Sequence, residues 1–165
     1  LDLLQKVYEG LDGNDQSLMQ TSLFLGIEMD PLKDNPQQGD FLIRNIMGAD
    51  RESGGIQVGA MLREGQLVQF HLRDKDMSSE DLRLVLNRYK AKEHSKKAAG
   101  ALLFSCLGRG QYLYGKPNHD SDMFRDQLGD IPLGGFFCNG EIGPVGKTTF
   151  LHGYTSSFGI FHPTR

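Results

Sequence analysis

No apolar run in this 165-residue sequence is long enough to cross a bilayer, and the N-terminus lacks the basic and apolar regions of a secretory signal. Those absences predict a soluble, cytoplasmic protein, with import into an organelle left open. Nor is there an excess of charge of either sign: charged residues make up 24% and the net charge is -3, so nothing would draw nucleic acid or an anionic membrane. Neither partner is expected. Cysteine is scarce as well, with two in the chain, too few for a disulfide framework. Both lie in apolar runs, where a reduced thiol serves as a small core residue, and a reducing compartment fits. There is also no repeat of fixed period and no low-complexity segment.

What the sequence does contain is two apolar runs that end alike. Ala101-Leu102-Leu103-Phe104-Ser105-Cys106-Leu107-Gly108-Arg109-Gly110 and Gly134-Gly135-Phe136-Phe137-Cys138-Asn139-Gly140-Glu141-Ile142-Gly143 each pass through a cysteine to a glycine-flanked charge three positions later. Short apolar runs bounded by glycine read as buried strands, with glycine marking close backbone approach. Each strand thus delivers one charge, Arg109 or Glu141, to a glycine-lined place. The two charges are either an internal ion pair or a receptacle for a ligand carrying both signs.

The length allows one sizeable core, so residues 1–165 read as a single domain. Leu3, Leu4, Val7, Tyr8 and Leu11 form a helical stripe directly after Leu1, which reads as a piece of a longer chain with any partner domain upstream. Gly13-Asn14-Asp15 breaks that pattern. Strands follow over 22–28 and 41–46, separated by a proline-containing loop. Ile56, Val58 and Ala60, then Leu67, Phe70 and Leu72, flank Arg63-Glu64-Gly65-Gln66 as a hairpin. Ser78 and Asp81 resemble a weak capping box, and Leu82, Val85, Leu86 and Tyr89 repeat at helical spacing, predicting a helix over 79–94. A shorter helix is expected over 121–128 with Phe124 and Leu128 inward. The β-rich segments 148–151 and 154–161 are read as a pair or as one long bent strand. The expected class is α+β, a mixed and mainly antiparallel sheet with two or three helices packed on it.

Several motifs have structural readings that compete with chemistry. Gly140 to Thr148 reads GEIGPVGKT, but a phosphate-binding loop needs glycine where Glu141 stands and a helix where Thr148 to Phe150 favour a strand. Asn118-His119-Asp120-Ser121-Asp122 offers metal-ligand side chains, yet it also suits a helix start, where such residues satisfy free amides. No second cluster has ligand spacing, and no metal is expected. Cys106 or Cys138 with His152 would make a thiol nucleophile only without the burial that usually leaves cysteine inert. His71 and His94 need no function. Arg44 and Arg73 are suited equally to fixing a loop through a carboxylate and to contacting a ligand.

These phrases resemble the C-terminal part of the FIST domain, a family of sensory modules of bacterial signalling proteins and eukaryotic F-box proteins. The resemblance is carried by Phe41-Leu42-Ile43-Arg44, by Gly65-Gln66-Leu67-Val68-Gln69-Phe70-His71-Leu72-Arg73-Asp74 and by Leu103 to Gly110. It is strongest over Pro132 to Pro144, followed by Leu151-His152-Gly153-Tyr154-Thr155. It implies a non-enzymatic, small-ligand sensing domain for an amino acid or related metabolite, joined to an upstream FIST N-terminal domain. It also implies signalling or ubiquitin-ligase partners, and heme in some members, for which His152 is the first candidate ligand. On this reading Arg109 clamps a ligand carboxylate, Glu141 accepts from an ammonium, Asn139 completes the shell, and His152 and Tyr154 border it.

Overall fold

The opening apolar stripe forms helix α1 (Asp2–Glu9). The computed structural model describes residues 1–92, 98–145 and 148–164, and the chain forms two compact units, Leu1–Asp74 and Lys75–Arg165. In the first unit, the expected break at Gly13-Asn14-Asp15 is instead the first turn of α2 (Gly13–Thr21). The Asp12 side chain accepts from the Asp15 amide at 2.9 Å and caps it.

Four strands follow: β1 (Leu23–Glu28), β2 (Phe41–Ala49), β3 (Ile56–Val58) and β4 (Val68–Leu72). Their order is β3-β2-β1-β4, with every pairing antiparallel. The expected hairpin between β3 and β4 does not form, because β3 pairs with β2 and β4 with β1. The turn itself exists: Gly65 adopts φ 79° and the Gln66 amide donates to the Arg63 carbonyl at 3.2 Å. Phe24, Leu25 and Ile27 make β1 the buried strand, and β1 takes β2 and β4 as its two neighbours. His71 reaches from β4 to lie edge-on to Phe41, with ring centroids 5.2 Å apart. Gly26 makes room for it, since a β-carbon there would sit 2.4 Å from His71 Nε2. The Arg73 guanidinium lies over the Phe24 ring, and Arg44 Nη1 donates to the Ile43 carbonyl.

The second unit opens with α3 (Lys75–Lys90), which starts earlier than the expected 79, so Ser78 lies inside the helix rather than at its cap. His94, the expected end, lies outside the described residues. Leu82 and Leu86 on α3 pack with Ala101 of β5 (Gly100–Cys106) and Phe124 of α5 (His119–Leu128), joined by Leu128, Phe158 and Ile160. Between β5 and α5 lies the short α4 (Gln111–Tyr114). The central β5 pairs in parallel with β6 (Leu133–Cys138) and antiparallel with β9 (Ser156–Phe161).

β7 (Glu141–Val145) and β8 (Thr148–His152) form a separate antiparallel hairpin. The expected partnership between 148–151 and 154–161 is therefore wrong on both counts: β8 pairs with β7, and β9 with β5. A strand, not a helix, follows the phosphate-loop-like phrase; Gly146 and Lys147 lie outside the described residues. The architecture is α+β and dominated by antiparallel pairs, with β5 and β6 the one parallel pair among the described residues. Among those residues, no helix is long and apolar enough to cross a membrane.

Candidate ligand cleft and its buried charges

Arg109 follows β5 after a turn, and Gly110 beside it takes φ 63°, where a β-carbon would press within 3.1 Å of Phe137. The guanidinium is buried at 7% exposure and does not pair with Glu141. Its partner is Asp120 in the first turn of α5, with Nε to Oδ2 at 2.8 Å and Nη2 to Oδ1 at 3.1 Å. Nη2 also donates to the Tyr114 hydroxyl, and Nη1 to the Tyr154 carbonyl at 3.4 Å. Asp120 further accepts from Ser105 and Ser156. Burial pushes the Asp120 carboxyl up, but the hydrogen bond and charge of Arg109, with Ser156 and His119, outweigh it and hold the group at about 2. Burial likewise opposes the Arg109 charge, and Asp120 reverses that, leaving the guanidinium held above its ordinary value.

His119, also buried, has Nδ1 at 2.9 Å from Asp120 Oδ1 and Nε2 at 2.8 Å from Ser79 Oγ, and its ring stacks on Tyr114 at 3.4 Å. The segment is the helix start expected from sequence, with Asp120 and Asp122 in its first turn, but Asn118 stands at the N-cap in a left-handed conformation with no side-chain cap bond. The order Ser79, His119, Asp120 has the connectivity of a proton relay. Yet Ser79 sits within α3, donating to the Lys75 carbonyl at 2.8 Å, and Asp120 is already neutralised by Arg109. That arrangement favours holding α3, α5 and the end of β5 together.

Glu141, 1% exposed, begins β7 and has neutral partners. Its Oε2 accepts from the Thr155 amide at 3.3 Å and the Thr155 hydroxyl at 2.9 Å, and its Oε1 lies 3.4 Å from the Cys138 sulfur. Burial pushes the Cys138 thiol up, and Glu141 pushes it further, the opposite of an activated nucleophile. Arg109 takes the carbonyl and Glu141 the amide of one peptide unit, that between Tyr154 and Thr155. The two charges are therefore a receptacle for both signs whose occupant is the chain's own backbone. Tyr154 is held there at φ 60°.

Asn139 is exposed in the turn between β6 and β7, and His152 Nε2 donates across the hairpin to the Gly143 carbonyl at 3.0 Å. The ring nitrogen that a heme iron would take is thus engaged by β7.

A cleft of about 530 Å³ borders this array at Ser105, His119 and Asp120. Its walls are Gly134 to Phe137 of β6, Leu103 and Ser105 of β5, Gly110 and Gln111, and Pro117 to Ser121 at the start of α5. The five residues singled out from sequence are not among these; Arg109 bears on the cleft through Asp120. The amides of His119, Asp120 and Ser121 precede the first α5 backbone bond, which runs from Asp122 to Asn118. The sequence marks Asp120 only as a helix-start or metal-ligand candidate, although a signal of its inward place was present: Asp120, Phe124 and Leu128 recur every four residues, so the inward face assigned to the last two includes the carboxylate.

The family model of the FIST C domain matches residues 1–144. An uncharacterized Mycobacterium tuberculosis protein is 42% identical over 161 residues, covering 98% of this chain and 42% of its own length. An F-box/LRR-repeat protein of Arabidopsis thaliana is 27% identical over 142 residues, covering 77% of this chain and 27% of its own. Human F-box only protein 22 is 32% identical over 108 residues, covering 55% and 27%. The chain thus spans less than half the length of these relatives.

Proposed function

Because the chain belongs to the FIST C domain family, we propose that it is a small-ligand-binding sensory domain in intracellular signal transduction, taking an amino acid or related metabolite in the cleft of its second unit. The observation that carries this reading is the start of α5: amides without helical acceptors, no side-chain cap from Asn118, and a cleft in front of them. A carboxylate placed there meets donors and the positive end of a ten-residue helix. Gln111 and Asn118 bring amide side chains for an ammonium, and Phe136 and Phe137, exposed by 62% and 56%, offer apolar surface for a side chain. The volume lies within the range of about 300–1,000 Å³ common to small-molecule sites. Arg109, Glu141 and Tyr154 act on the scaffold that holds this end of the sheet. An upstream FIST N-terminal domain and the remainder of a full-length protein supply output.

A thermal-shift screen of the chain against amino acids and small carboxylates tests this. A ligand that binds the native state raises the melting temperature as its concentration passes its dissociation constant. The expected hit loses its effect in Gln111→Ala, whose side chain makes no structural bond among the described residues. A hit insensitive to every cleft substitution would place binding elsewhere.

A second reading, a protein-interaction domain as in the F-box relatives, is favoured by one observation. Ile142 and Leu151 face each other across the β7–β8 hairpin and are 74% and 65% exposed. Absence of any small-molecule shift, with Ile142→Asp abolishing capture of a protein partner, would move the assignment there.

A further inference from the structure

β5 and β6 end on the same residue type, and nothing in the ligand reading uses it. Cys106 and Cys138 are direct register partners in the parallel pair, so their side chains leave the sheet on one face. Neighbouring strands run about 4.7–4.9 Å apart, inside the Cα separation of about 4.4–6.8 Å that a disulfide spans. Both thiols are free; Cys106 is 6% exposed and Cys138 half-buried. The Cys138 sulfur already lies beside a proton acceptor, Glu141 Oε1 at 3.4 Å.

We propose that Cys106 and Cys138 form a reversible oxidation site, joined into an intramolecular disulfide by a hydroperoxide. Cys138, the more accessible, reacts first, and slowly, because its thiol is kept protonated beside Glu141. Its thiol proton passes to Glu141 as the sulfur attacks one peroxide oxygen. The O–O bond breaks, the departing oxygen recovers the proton and leaves as water, and Cys138 becomes a sulfenic acid. The Cys106 sulfur then attacks the Cys138 sulfur: the S–S bond forms, the S–O bond breaks, and the hydroxyl leaves as water with the Cys106 proton. Two thiols are oxidised and one hydrogen peroxide is reduced to two waters. The bond draws the Cys138 sulfur away from Glu141, removing one of three donors to the carboxylate that holds the Tyr154 to Thr155 peptide. It also ties together the strand ends that carry Arg109 and Glu141.

The test treats the intact chain with hydrogen peroxide, denatures it without reductant, alkylates with iodoacetamide and weighs it. The expected product has lost two hydrogens, takes no alkyl group, and yields a linked peptide containing Cys106 and Cys138. Dithiothreitol returns two alkylatable thiols. Cys138→Ser, treated alike, gives no internal link. Independent oxidation of each sulfur to sulfinic or sulfonic acid would overturn the proposal, as would intermolecular dimers alone or two thiols that stay alkylatable.

Discussion

Arg109 and Glu141 hold opposite ends of one peptide unit, and their contributions to stability must therefore be coupled. Arg109→Met leaves the Asp120 carboxylate buried without its cation and is expected to cost about 3–5 kcal/mol. Glu141→Gln, which loses a charged acceptor for two Thr155 donors, is expected to cost about 1–3 kcal/mol. Because both free the same segment, the double variant should lose less than the sum in urea denaturation; strict additivity would mean the two charges act separately. Asp120 also makes stability depend on acid. Its carboxyl falls from an ordinary 3.8 to about 2 on folding, so the ionised group favours the folded state by about 2 kcal/mol above pH 4. That contribution disappears as pH drops through about 2, and Asp120→Asn should flatten the stability curve between pH 4 and pH 2.

At the level of elements, the parallel pairing of β5 with β6 decides where the cleft lies, and Gly135 is the residue that permits it. A β-carbon at Gly135 would sit 1.9 Å from the Leu103 carbonyl oxygen, whereas one at Gly134 meets its nearest neighbour, Leu102, at 3.7 Å. Gly135→Ala should therefore destabilise by about 3 kcal/mol or more, and Gly134→Ala by well under that, as read from urea midpoints. Equal effects would mean the strands separate at little cost.

The two cysteine runs were legible as strands because each is apolar and bounded by glycine. The hairpin expected between β3 and β4 was not, because alternation states which face a residue takes and is silent on which strand it meets. β7 was hidden because Gly143 and Pro144 are poor strand formers, although Pro144 lies in a two-stranded hairpin, where proline is tolerated at an edge. Of the site, the sequence offered the charges Arg109 and Glu141 and their equal offsets. It did not offer Asp120 as the arginine's partner, since that pairing depends on α5 folding back against the end of β5.

For the molecule as a whole, the FIST C domain pattern runs through residues of both units, while the cleft and the charge array are built within Lys75–Arg165 alone. On the function proposed above, the buried charges hold the scaffold and the cleft at the start of α5 is left to take a ligand. This division of labour is tested most directly by recording nitrogen-15 amide spectra of the labelled chain during titration with a mixture of amino acids at millimolar concentration. The expected shifts concentrate at Gly110, Gln111, His119, Ser121, Gly134 and Gly135, with the Tyr154 to Thr155 segment little changed. Shifts confined to the β7–β8 hairpin and the Asn139 turn, or a spectrum that does not respond at all, would contradict it.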